Sequence, residues 1–192
     1  EKRRFSGPPP RASRAPETTA SVSIVVPVYN EEETIASLLS HLLDLRGAER
    51  AEIILVDGGG GGTLAAAESH GFTLDGSRIV GVLSPPGRAR QLNAGGELAS
   101  TAALIFLHAD TRLPSGALDA VVAALERYQA GAFDLRFESR HPGIRLVGMV
   151  GRLRSRMTRI PYGDQAHFMR RSTFLALGGY RDQPLMEDVE LM

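Results

Sequence analysis

Residues 21–46 read SVSIVVPVYNEEETIASLLSHLLDLR, and their pattern decides the fold class. Val22–Val28 is a continuous apolar run rather than an alternation, as a strand buried on both faces requires. Directly after it, Ile35, Leu38, Leu39, Leu42 and Leu43 recur at helical spacing. Glu31 to Arg46 is therefore expected as a helix, and Glu31, Glu32 and Glu33 at its start complement the helix dipole.

The same rhythm continues down the chain. Glu52–Val56 reads as a second strand, stopped by Asp57 and five glycines, followed by a short helix over Thr63–His70. A third strand is expected at Arg78–Leu83, a helix over Arg88–Ala99 and a strong apolar strand at Ala103–Leu107. Pro114 opens a further helix that reaches about Gln129. Strands alternating with helices imply an α/β fold, a parallel sheet with helices on both faces. The second half is less regular. Gly131–Glu138 alternates like a strand, His167–Arg170 reads as another, and Ser172–Leu177 as a short helix closed by Gly178 and Gly179. Ile144–Met157 is expected as a basic amphipathic helix, with Leu146, Val150, Leu153 and Met157 on one stripe and Arg145, Arg152, Arg156 and Arg159 on another.

Residues 1–20 carry four of the eleven prolines and little apolar content, so they read as a disordered leader. They lack the apolar stretch of a secretory signal. No run of roughly 18 apolar residues that could span a membrane occurs anywhere, and a cytoplasmic protein, soluble or peripheral, is the expectation. The domain is expected over 21–192, continuing past Met192, where the chain stops inside what reads as a new helix.

Composition removes several chemistries. The chain has no cysteine, which excludes disulfides, thiolate nucleophiles and cysteine-ligated metals. Its single lysine, Lys2, lies in the leader, so no Walker-type lysine, Schiff base or lysine general base is available to the domain. Formal charge is zero, which argues against a nucleic-acid partner, but the distribution is uneven. Residues 139–171 hold eight arginines (Arg140, Arg145, Arg152, Arg154, Arg156, Arg159, Arg170 and Arg171) against one acid, Asp164. Arginine grips phosphate bidentately and is always charged, so this stretch suits a phosphate-rich ligand or an anionic membrane surface. It reads equally as a solvated face in an arginine-preferring protein.

In an open parallel sheet, ligands bind beyond the carboxyl ends of the strands, where strand order reverses. Three expected strands end in polar residues: Pro27-Val28-Tyr29-Asn30-Glu31, Asp57-Gly58 and His108-Ala109-Asp110. Taken alone, Asp57 and Asp110 read equally as ordinary polar strand ends, and Glu187 and Asp188 as acids in a helix's first turn. The glycine run Gly58–Gly62 is not a dinucleotide fingerprint. Thr63 stands where its last glycine or alanine belongs, and the acid precedes the glycines instead of following some 20 residues later. His41 and His70 read as helix-surface residues, and nothing selects His141 or His167.

SIVVPVYNEEETI, ILVDGG, GRARQLNAG, LIFLHADTRLP, GDQAHFMRR and PLMEDVEL, in this order, resemble family 2 glycosyltransferases. Among these, the sequence is most similar to the bacterial radical-SAM/selenodomain-associated subgroup of the arsenosugar-biosynthesis type. The resemblance runs from about Ser21 to Met192. It implies a three-layer GT-A sandwich, Rossmann-like with a mostly parallel central sheet. It further implies inverting transfer of a sugar from a nucleotide diphosphate donor, of UDP or GDP type, to an acceptor hydroxyl of unknown identity. Mg²⁺ or Mn²⁺ is the implied cofactor.

Carried onto this chain, Pro27, Tyr29 and Glu31 match the segment lining the nucleotide pocket. Asp57, followed by Gly58, matches the acid that hydrogen-bonds the base. Arg88, Arg90 and Asn93 match the segment beside the donor, where guanidinium groups neutralise diphosphate. Asp110 takes the metal-holding place of an Asp-x-Asp motif whose first aspartate is replaced by His108, and imidazole suits Mg²⁺ poorly. Asp164 and Gln165 lie in a matching Gly-Asp-Gln segment without an assigned step. Glu187 and Asp188 match the acidic pair whose aspartate is the general base. The loop after Asp57 lacks the serine and aspartate usual in the family, which implies weaker donor contacts or a looser loop. The basic helix at 144–157 would face an anionic acceptor or the inner membrane surface. Two other functions fit a similar sheet: a sugar nucleotidyltransferase, against which the missing lysine counts, and a non-catalytic nucleotide-binding module, for which the altered glycine loop counts.

Overall fold

Strand β1 spans Val22–Val28 and is buried along its whole length except at Pro27. The structure, a computed structural model, describes residues 21–133 and 166–181. After β1 come α1 (Ile35–Leu43), a 3-10 turn (Ala48–Arg50), β2 (Ala51–Asp57), α2 (Gly62–Ser69), β3 (Ile79–Leu83) and α3 (Arg88–Leu98). The remaining described elements are β4 (Ala103–Phe106), α4 (Ala117–Leu125), β5 (Ala130–Ala132), β6 (His167–Arg170) and α5 (Arg171–Leu177). Of the expected strand at 131–138, the part beyond Phe133 lies outside the described residues, as does the expected helix at 144–157.

Six strands form one sheet in the order β3-β2-β1-β4-β6-β5. β1 pairs in parallel with β2 and with β4, and β2 with β3, whereas β6 runs antiparallel to both β4 and β5. From β1 the chain steps outward through β2 and β3 and then returns to place β4 on the other side. The strand order therefore reverses between β1 and β4.

Alternate residues of the strands feed two cores. Val22, Ile24, Val26 and Val28 pack with Ile53, Leu55, Ile105 and Leu107 against Leu38, Leu39 and Leu42 of α1 and Leu118 and Val121 of α4. Val25, Ile54, Val56, Leu104, Phe106 and Met169 face the other way, toward Ala89 and Leu92 of α3 and Phe174 of α5. This is the expected α/β sandwich of three layers around a mostly parallel sheet. On the second face α3 lies close to the sheet: a Cβ on Gly95 would collide with Val25 Cγ1, and one on Gly96 with the Phe174 ring. Phe106, Phe174 and Tyr180 cluster in tilted and edge-to-face contacts with centroids 5.1–6.1 Å apart and hold α5 against β4.

Candidate active site

The crevice at the reversal point is built from the ends of β1 and β4 and the first turn of α3. It is a cleft of about 230 Å³ lined by Pro27, Val28, Tyr29, Glu31, Arg88, Gln91, His108, Ala109 and Asp110. That is below the usual 300–1,000 Å³ of a small-molecule site. Six of the residues picked from sequence, Pro27, Tyr29, Glu31, Arg88, His108 and Asp110, meet here from three separated segments.

Each wall has a local cause. After β1 the chain turns at Asn30, whose φ of 56° is left-handed, and Glu31 then accepts the Thr34 and Ile35 N–H groups at its carbonyl. The Thr34 hydroxyl donates to Glu31 Oε2 at 2.6 Å. The helix thus begins at Ile35 and not at Glu31, because the segment 29–34 is a turn bordering the cleft. Thr63, fully buried, accepts the Glu31 N–H at 3.0 Å and ties this turn to α2. On the opposite wall, an Arg88 guanidinium N–H donates to His108 Nε2. Asp110 is exposed at the mouth and accepts the Thr111 hydroxyl at 3.3 Å.

Gln91 belongs to this site and was not singled out from sequence. Its Nε2 donates to the carbonyls of Val28 and Val56, both at 2.8 Å, and so clamps the carboxyl ends of β1 and β2 together. A Cβ on Gly58 would stand 2.9 Å from Gln91 Oε1, which explains a glycine there. The available signal was a polar residue on the buried stripe of α3, alongside Ala89, Leu92 and Gly95.

Other candidate residues stand apart from the cleft. Asp57 is fully buried and its carboxylate accepts backbone N–H groups from Gly59 (2.6 Å), Thr63 (3.2 Å) and Leu64 (3.4 Å). It supplies the acceptors that the N-terminal turn of α2 lacks and ties down a glycine loop in which Gly60 and Gly61 have φ of 88° and 101°. The Asn93 amide is engaged with the Tyr180 backbone, donating to its carbonyl and accepting its N–H, each at 2.8 Å. Arg90 is exposed and does not line the cleft. His41 differs from the expected helix-surface residue. His41 is half-buried and bonded through its ring, and His167 is buried in β6 at 2% exposure. Asp164, Gln165, Glu187 and Asp188 lie outside the described residues. Among the described residues, no group of three or more His, Asp or Glu side chains forms a metal cluster, and no helix is long and apolar enough to cross a membrane.

Comparison with known proteins bears on this geometry. The family model for glycosyl transferase family 2 matches residues 23–180. The chain belongs to glycosyl transferase family 2. A curated relative, the undecaprenyl-phosphate 4-deoxy-4-formamido-L-arabinose transferase of Aeromonas hydrophila, is 33% identical over 112 residues, which are 56% of this chain and 34% of the relative. The mannosyltransferase PcManGT of Pyrobaculum calidifontis, solved with GDP-Man and Mn²⁺, superposes with a TM-score of 0.69 at 22% identity, covering 93% of this chain and 53% of its own. S. aureus TarS with UDP-GlcNAc gives 0.62 at 16% identity over 89% of this chain and 52% of the TarS chain. The chain thus spans about a third of the curated relative and about half of these solved structures. The structural likeness establishes the GT-A fold shared with them.

Proposed function

We propose that this chain is the donor-binding part of an inverting glycosyltransferase that moves a sugar from a nucleotide diphosphate to an acceptor hydroxyl. The observation that carries it is the cleft at the β1/β4 reversal, where Tyr29, Glu31, Arg88 and Asp110 converge in a family 2 domain. Tyr29 and Glu31 border the nucleotide end. Arg88, steadied on His108, places a permanent positive charge where the diphosphate oxygens would lie. The solved relatives carry GDP-Man, UDP-GlcNAc or UDP, and a donor of that class is the one proposed here.

The residues present fit a divalent cation of the Mg²⁺ or Mn²⁺ type. Such ions commonly use one or two carboxylates and complete their shell with phosphate oxygens and water. Asp110, an exposed oxygen donor, meets that need without a three-residue cluster, whereas His108 Nε2 is an imidazole nitrogen set against Arg88, a poorer ligand for such an ion. When bound, the ion supplies charge neutralisation on the departing nucleotide diphosphate. Asp188, with Glu187 beside it, is proposed as the base that takes the proton of the acceptor hydroxyl during in-line attack. Glu31 and the Arg88–His108 pair hold the donor in register for that attack. The eight arginines of 139–171 suit an anionic acceptor at an inner membrane face, and the curated relative is named for undecaprenyl-phosphate, a phosphate-bearing molecule. The radical-SAM-associated subgroup is the proposed branch of the family.

A thermal-shift screen of UDP-, GDP- and dTDP-sugars with Mn²⁺ tests this. A donor at 100 times its dissociation constant adds about 2.7 kcal/mol, and silence from every donor overturns the proposal. Asp188→Asn is expected to bind the responding donor within a few-fold of wild type and to abolish transfer. Unimpaired turnover in that variant removes the base assignment.

A further inference from the structure

Helix α1 reaches the loop that carries Asp110 through two polar side chains one turn apart. His41 Nε2 accepts the Leu113 backbone N–H at 3.1 Å, and Ser37 Oγ accepts from Arg112 Nη2 at 3.3 Å. Residues four apart share a helix face, so Ser37 and His41 form one polar edge beside the apolar stripe of Ile35, Leu38, Leu39 and Leu42. Past these two side chains, the Arg46 N–H donates to the Ser115 carbonyl at 3.1 Å, and the remaining bonds near Asp110 are within the loop. Thr111 N–H donates to the His108 carbonyl at 3.1 Å, and Arg112 Nη1 donates to the Ala109 carbonyl at 3.2 Å and the Thr111 carbonyl at 3.4 Å. Leu113, 4% exposed, plugs the core below. The Leu113 N–H is thus anchored by an imidazole that belongs to a different element, 72 residues away in sequence.

We infer that His41, with Ser37, is a positioning residue that fixes the β4–α4 loop, and with it the Asp110 carboxylate, relative to the nucleotide-side turn at Tyr29–Glu31. The two walls of the cleft are then joined through one rigid body, because α1 grows directly out of that turn and its outer edge holds the opposite loop. The position needs an acceptor, here Nε2 of His41, since the partner is a donor. A side chain lacking an acceptor leaves the half-buried Leu113 N–H without a protein partner, and the loop gains freedom at the position where Asp110 must meet a metal and a diphosphate. The inference rests on the proposed donor site only for its effect on binding; the clamp itself stands on the geometry.

The test compares wild type, His41→Leu and His41→Gln, the last retaining an acceptor near the position of Nε2, with Ser37→Ala as a companion. Hydrogen–deuterium exchange over residues 108–113 reads the clamp with no nucleotide present. His41→Leu is expected to speed exchange at Leu113 about tenfold or more, with His41→Gln close to wild type and Ser37→Ala between them. Titration with UDP and GDP, with and without MnCl₂, reads the consequence: about a tenfold loss of the metal-linked part of the affinity in His41→Leu, restored in His41→Gln. Unchanged exchange in His41→Leu overturns the clamp. Faster exchange with undiminished metal-linked affinity overturns the positioning role. A wild type that binds neither nucleotide refutes the donor site instead, and the exchange result then decides the clamp alone. Melting temperatures of the variants separate loop release from global unfolding.

Discussion

Asp57 offers the sharpest contrast between two roles for one side chain. As a reader of the nucleotide base, its carboxylate would face a ligand and its loss would leave stability intact. In the structure it faces its own loop, with one oxygen on the Gly59 N–H and the other on those of Thr63 and Leu64. Asp57→Asn retains the shape but only one acceptor oxygen. Gly59 is exposed and can turn its N–H to water, whereas Thr63 is buried and cannot. The amide is therefore expected to settle with its oxygen toward α2. It gives up the 2.6 Å bond to Gly59 and the negative charge that favours a helix N-terminus. One bond to a charged group is worth about 1.5–3 kcal/mol. In a domain of this size each kcal/mol lowers the melting temperature by about 2–4 °C, so the expected drop is about 3–12 °C. Asp57→Ala strands the Thr63 N–H as well and is expected to fall further. Scanning calorimetry on the three proteins measures this directly. Melting within about 1 °C of wild type in both variants, together with an altered preference between UDP and GDP, refutes the reasoning and makes Asp57 a base reader.

Two further substitutions probe the frame and the cleft. Gly95→Ala on an exposed helix would be stabilising by about 1 kcal/mol, but here the added methyl collides with Val25 Cγ1; overpacking costs about 1–3 kcal/mol, so a lower melting temperature is expected, and a rise contradicts the close helix–sheet contact. Arg88→Ala is expected to weaken UDP or GDP binding by about 10- to 100-fold, from the loss of charge-assisted bonds of about 1.5–3 kcal/mol. Arg88→Lys should recover part of it, because the charge returns without the planar fork; equal affinity in all three proteins takes Arg88 away from the phosphates.

Elements whose burial is written in local pattern were legible from the chain. β1 lies at Val22–Val28 as read, since a strand covered on both faces shows its apolar run directly; β6 also lies at the expected His167–Arg170. Helix starts were less legible. α1 begins at Ile35 and α4 at Ala117, later than the expected Glu31 and Pro114, because the helix-like residues ahead of each form a turn instead. The cleft was legible where it rests on strand ends, as with Tyr29 and Asp110. It was not legible where a side chain's partner is remote in sequence. Nothing near Asn93 foretells its pairing with Tyr180, nothing near His41 foretells Leu113, and Gln91 spans two strand ends that only the folded sheet brings together. Asp57 shows the converse: its strand-end position was read correctly, but the direction of its carboxylate depends on where α2 begins.

The central claim is that Asp110, at the end of β4, joins a metal-dependent nucleotide diphosphate site. Isothermal titration of wild type and Asp110→Ala with GDP and UDP, each with and without Mn²⁺, measures it most directly. Wild type is expected to bind at least one nucleotide more tightly with Mn²⁺, and Asp110→Ala to lose that increment while keeping its metal-free affinity and its melting temperature. An Asp110→Ala protein that retains the full Mn²⁺ increment, or a wild type that shows none, contradicts the account.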